Sequence, residues 1–336
     1  MSPRRRENQQ EFRHINRLVG SSGEADAARA RELADDGTGQ PVYETKKESF
    51  ELKEIEKTER DREIIAAVEN SVDAVLAKYG RTKAVGIPSD NIHLVESAEV
   101  GGYYDARRQQ LAVVKERGNS ASFAATMFHE MVHAKSFTAL KVKVADSGRD
   151  ITHFRTGLEV LAADGKTRFR ELNEAVVQTM TLDFFDREMR QSEFYLADIA
   201  DAERRGLEPG EKEEASYYVE RSILADLLNG LAEVGSGRSR QEIMDVFIRA
   251  SVNGDVYALR ELVESAYGSG SFRVLGESLG EFYRTYLQKK DPGLMERLGR
   301  AARNMVGYCS AGSDELEEDK LTPAGKIKKA LKSLLK

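Results

Sequence analysis

Ile64, Ile65, Val68, Val72, Val75, Leu76 and Tyr79 recur at steps of three and four residues. That spacing puts them on one face of a helix, and Gly80 stands where a helix C-terminus favours glycine. Further on the period shortens. Asn91–Glu96, Gly101–Tyr104 and Gln109–Lys115 read as short extended pieces. Gly118-Asn119-Ser120 is a turn ending in an N-cap residue, and a helix is predicted from Ser120 to Thr138. Phe123, Met127 and Met131 step by four along it and form an apolar ridge. Phe154–Leu161 and Lys166–Arg170 flank Asp164-Gly165, a strong hairpin signal. A second long helix is expected from Glu171 toward Arg190.

Beyond Ser192 the pattern is helical throughout. The predicted pieces are Phe194–Arg205, Glu213–Leu231, Ser239–Ala250, Asp255–Ala266, Phe272–Lys289 and Leu294–Met305, with breaks at Gly268–Ser271 and Asp291-Pro292-Gly293. This organisation predicts an α+β protein. Residues 1–58 form a polar arm, 59–190 a core with a small mixed sheet and two long helices, and 191–310 a helical region forming the other wall of a cleft. Residues 311–336 are an acidic patch followed by a Lys/Leu pattern.

Composition narrows the class. The 336 residues carry a net charge of −6 with both signs mixed, and no basic stripe with interleaved aromatics argues for nucleic acid. The one cysteine, Cys309, leaves no internal disulfide and no cysteine zinc cage. No apolar run reaches the roughly 18–20 residues of a membrane span. Arg4-Arg5-Arg6 is followed by polar residues, not the apolar core of a signal peptide, so a cytoplasmic location is expected. Leaderless export is compatible with the same sequence. The Lys/Leu tail is expected to be solvated or docked on its acidic neighbour, with contact to an anionic membrane surface the weaker alternative. Gly268-Ser269-Gly270 lacks a following lysine and reads as a helix–helix turn, not a phosphate loop.

The chemistry sits in the Ser120–Thr138 helix. His129-Glu130-Met131-Val132-His133 puts two imidazoles four residues apart on one helical face, where both can bind one Zn²⁺. Glu130, one step after the first histidine, is placed to take a proton from water at that metal. A catalytic zinc site needs three protein ligands. A third histidine at the short extended spacing is ruled out, because Ser136 and Ala139 hold those positions. Glu174 is the leading third ligand, with Glu171 and His153 as rivals. Tyr217, Tyr218, His153 and Arg155 are candidates to stabilise an oxyanion, although the tyrosine pair reads first as core, and Tyr103 and Tyr104 read as packing residues.

His-Glu-x-x-His followed by Asn173-Glu174 on a second helix resembles the gluzincin metallopeptidases, the thermolysin-like superfamily. The resemblance covers about Ile92 to Met180 and extends to no particular subfamily. It implies a zincin core, zinc held by His129, His133 and Glu174, Glu130 as general base, and Gln109–Lys115 as the edge strand that pairs with an extended peptide or protein substrate. The sequence departs from thermolysin four residues after Glu174. There Gln178 stands in place of an aspartate, and its amide oxygen can accept an imidazole N–H without adding charge. The expected function is zinc-dependent peptide-bond hydrolysis. The alternatives are a catalytically inactive zincin-like binding or regulatory module and a zinc hydrolase of a non-peptide amide.

Overall fold

A computed structural model describes residues 17–20, 54–81, 86–96, 101–105, 110–115, 119–145, 148–162, 165–206, 217–233 and 237–277. Of 17–20 and 140–154 it describes the backbone only. Its strands are β1 (Arg17–Gly20), β2 (Ile92–Val95), β3 (Gly102–Asp105), β4 (Gln110–Val114), β5 (Thr138–Ala145), β6 (Gly148–Thr156), β7 (Glu159–Leu161) and β8 (Thr167–Arg168). Its longer helices are α1 (Glu59–Lys78), α2 (Ser120–Lys135), α3 (Arg170–Arg187), α4 (Glu193–Arg204), α5 (Tyr218–Glu233), α6 (Arg240–Asn253) and α7 (Val256–Tyr267). The protein is α+β, mostly helical with small sheets. It divides into two units, Met1–Gly157 with Val177–Ser216, and Leu158–Val176 with Tyr217–Lys336.

In the first unit α1 starts at a capping box. The Thr58 side chain accepts from the Asp61 N–H, and the Asp61 carboxylate accepts from the Thr58 N–H at 2.8 Å. Ile64, Val68, Val72 and Leu76 are buried, as their period requires, and Gly80 takes φ +88° just past the helix end. A three-stranded sheet has the order β2-β4-β3, with β2 parallel and β3 antiparallel to β4. The expectation that Gln109–Lys115 is an edge strand is therefore overturned. The strand lies in the centre, and Leu111, Ala112 and Val113 are all buried. A consecutive apolar run is what a strand covered on both faces carries. The edge that stays open among the described residues belongs to β3, since β2 is bridged by Glu54 at Val95.

Asn119, not Ser120, caps α2, accepting from the Ser122 N–H at 3.0 Å. The helix stops at Lys135, three residues short of the expected Thr138. From Thr138 the chain pairs as β5 with β6, and β1 lies parallel to β5. Apart from Phe154–Thr156, expected in an extended arm, this long hairpin has no counterpart in the sequence expectation. Nearly every residue of α2 from Ala121 to Lys135 is buried, Thr126 being the half-buried exception. Phe128 of α2 stacks on Phe184 of α3 at 4.3 Å, and Phe184 meets Tyr195 of α4 edge-on.

Lys135 ends α2 inside the protein, 1% exposed. Its ammonium lies 2.9 Å from a Glu69 oxygen and 2.6 Å from an Asp73 oxygen, both on α1. A buried charge is tolerated because it is paired, and removing its partners strands it. We expect Glu69→Ala with Asp73→Ala to cost about 3 kcal/mol in urea unfolding. Lys135→Met, which removes the charge and keeps the volume, is expected to cost much less. Equal losses for the two changes count against this account.

In the second unit β7 and β8 form the expected Asp-Gly hairpin, with Gly165 at φ +76°. Its first arm is shorter than predicted. Phe154–Thr156 belong to β6, and Gly157, at φ +59°, turns the chain between them. Phe169 precedes α3 with φ +60°, and its ring stacks on Phe272 at 4.7 Å. The helices α5, α6 and α7 follow within a few residues of prediction, with Ser239 forming a capping box with Glu242. Residues 271–277 begin the Phe272–Lys289 helix. The rest of that helix, Leu294–Met305, the acidic patch, the Lys/Leu tail and most of the N-terminal arm lie outside the described residues. Among the described residues, no helix is long and apolar enough to cross a membrane.

Candidate metal centre

The two long helices α2 and α3 carry the site. His129, Glu130 and His133 lie on α2 and are all buried, at 5%, 6% and 8% exposure. Asn173, Glu174 and Gln178 lie on α3, where positions 174 and 178 share a face. His129, His133 and Glu174 form a group that could hold a metal ion, with one ligand atom from each and all of these within 4.8 Å of one another. Glu171 is outside that group. His153 sits on β6 opposite Leu140 in backbone register, and its side chain lies outside the described part of the chain.

The imidazoles are ordered for metal binding. Gln178 Oε1 lies 2.9 Å from His129 Nδ1. An amide oxygen only accepts, so Nδ1 carries the proton and donates it. The Nε2 of His129 is then the lone-pair nitrogen, and it lies 3.1 Å from His133 Nε2. Two nitrogens on one tetrahedral zinc, each at about 2.0–2.1 Å, stand about 3.3 Å apart. The observed spacing is close to that edge. Glu174, half-buried, offers the carboxylate oxygen of the group. Two nitrogens and a carboxylate oxygen are a donor set that zinc accepts, so these residues fit such an ion.

Gln178 does the positioning that its sequence place suggested. Gln178→Ala removes the acceptor that orients His129 and is expected to weaken metal binding by about 10–100-fold, with Gln178→Glu at least retaining it. Competition with a chromogenic chelator measures both, and parent-like affinity in Gln178→Ala rules the role out. Asn173 anchors the first turn of α3 in a different way. Its side-chain oxygen accepts from the Leu158 N–H at 2.8 Å and from the Ser251 hydroxyl at 3.2 Å.

Glu130 is absent from the ligand group and lies against β3. The Gly102 backbone comes so close that a Cβ there would sit 2.8 Å from Glu130 Cγ. Sequence reasoning passed over this glycine, although Gly101-Gly102 before an aromatic strand was a visible sign of a close approach. The suggested oxyanion donors fare differently. Arg155 is buried, with Nε donating to the Gly157 carbonyl at 2.7 Å and its guanidinium over the Phe137 ring, and burial pushes its pKa down to about 10. Tyr217 and Tyr218 are 38% and 64% exposed, so the expectation that they form core is overturned. Tyr217 sits at φ +52° just before α5 begins. Tyr103 and Tyr104 are half-buried on β3, in keeping with a packing role, and the Tyr104 hydroxyl is enclosed, with burial pushing its pKa up.

Comparison with protein-family models, with curated proteins and with solved structures found no match to this chain.

Proposed function

We propose that the protein is a zinc-dependent peptidase of gluzincin type. The observation that carries this is the pair of imidazole Nε2 atoms 3.1 Å apart, with Glu174 in the same ligand group. Gln178 fixes the tautomer of His129, and Glu130 follows His129 directly on α2 without belonging to the ligand group. Zinc bound by His129, His133 and Glu174 supplies acidification of water and polarisation of a carbonyl.

The chain's own residues do the rest. Glu130 takes the proton of the attacking water and returns it to the leaving amine. The burial of all three α2 residues keeps bulk water away and strengthens each electrostatic contact. Substrate pairs with β3 instead of β4. The Val114 N–H bonds to the Gly101 carbonyl, so by the alternation of an antiparallel ladder the N–H and C=O groups of Gly102 and Tyr104 point away from β4, toward the edge that no described strand covers. An extended peptide added there gains main-chain hydrogen bonds that do not depend on its sequence.

A digest of a diverse peptide library, run on parent and Glu130→Gln protein with metal content measured on both, tests the proposal. Cleavage by the metal-loaded parent alone is the expected result. Stoichiometric metal with no cleavage by the parent favours the non-catalytic binding module. Cleavage confined to non-peptide amides favours the alternative hydrolase.

A further inference from the structure

We propose that Gly102 is a positioning residue that seats the Glu130 carboxyl group against the open strand β3 by having no side chain. A Cβ built on Gly102 meets Glu130 Cγ at 2.8 Å, Glu130 Oε1 at 3.0 Å and Thr126 Cγ2 at 3.1 Å. Separations this short are on the repulsive wall of the contact, where a packed interior does not give way cheaply. Neither partner is free to retreat. Glu130 is 6% exposed on a helix buried nearly all round, and β3 is tied to β4 over the register Gly102↔Val113 to Asp105↔Gln110. Any side chain at position 102 therefore has to turn the carboxyl group off its present direction.

The neighbouring glycine makes the contrast. A Cβ at Gly101 would meet only Thr126 Cγ2, at 3.7 Å, an ordinary van der Waals contact. Two adjacent glycines on one strand thus differ in what they allow, and only one is required by Glu130. Gly102 is also the residue whose own N–H and C=O face the open edge. A carboxyl group resting on that backbone is held at one fixed spacing from any chain that pairs there. The catalytic consequence rests on Glu130 acting as the proposed base, but the contact itself does not.

Two measurements on the full-length protein keep these apart. The first is thermal unfolding of a double-mutant cycle. Gly102→Ala is expected to lower the Tm by several degrees when Glu130 is present and by clearly less in a Glu130→Ala background, where the two nearest obstructing atoms are gone and Thr126 Cγ2 alone remains. Equal Tm losses in both backgrounds, or none in either, overturn the proposal. The second is turnover of a library-derived peptide by zinc-loaded protein. Gly102→Ala is expected to lower kcat by on the order of a hundredfold, the size of effect an ångström of misplacement produces. KM and zinc content stay near the parent values, and Gly101→Ala behaves as the parent. A Gly102→Ala enzyme with parent-like kcat overturns the positioning role. A parent that cleaves nothing overturns the peptidase assignment alone, and the unfolding cycle then decides the contact.

Discussion

Glu130→Gln is expected to lower peptide hydrolysis by about 10²–10⁴-fold and leave the metal in place. The substitution keeps the length and volume of the side chain, so the close packing against Gly102 survives. It removes the one thing a general base needs, a group that can accept and carry a proton. An amide neither takes a proton from water near neutral pH nor delivers one to a leaving amine. General acid–base catalysis by a positioned side chain contributes about 10²–10⁴-fold, and kcat/KM should fall by that amount. Because Glu130 lies outside the ligand group, elemental analysis should find as much metal in the variant as in the parent. Activity within a few-fold of the parent would remove Glu130 from the mechanism.

Glu174→Ala is expected to lose the metal itself. In the proposed site His129 and His133 would supply two ligands from one helix, and the third protein ligand would be the carboxylate from α3. Metal affinity should drop by more than about a hundredfold, beyond the range seen when only an outer partner of a ligand is lost. Hydrolysis should disappear with it. Glu174 is half-buried at its position, so the substitution should leave unfolding stability without metal largely unchanged. If the variant binds metal as tightly as the parent, another group completes the site, and Glu171→Ala and His153→Ala become the next variants to load and measure.

Much of this site was legible in the sequence because it is helical and local. Four-residue spacing brings His129 to His133, and the same spacing brings Glu174 into line with Gln178. Any reader of the helix periods can place those pairs. What the sequence could not say was which strand is the edge. Both Gly101–Tyr104 and Gln109–Lys115 look like strands, and sheet order depends on contacts between distant residues. The apolar run Leu111-Ala112-Val113 was the overlooked sign of a central strand. The β5–β6 hairpin escaped for a related reason. Thr138, Leu140, Val142 and Val144 alternate with polar and small residues just where the helix pattern fades, and a helix extended past Ser136 hides that change of period. Tyr217 and Tyr218 misled because helical spacing shows which residues share a face but not whether that face is covered.

The burial of α2 on nearly all sides has a consequence for when order is established at the site. Amide hydrogens around His129 and His133 are expected to exchange only with unfolding of the first unit, since no exposed face lets the helix fray in its middle. The two imidazoles are thereby packed in place by the fold itself. Their conformational entropy is lost during folding, together with the stacking of Phe128 on Phe184 and the pairing of Lys135 with α1. The less enclosed member of the candidate group is Glu174, half-buried on α3.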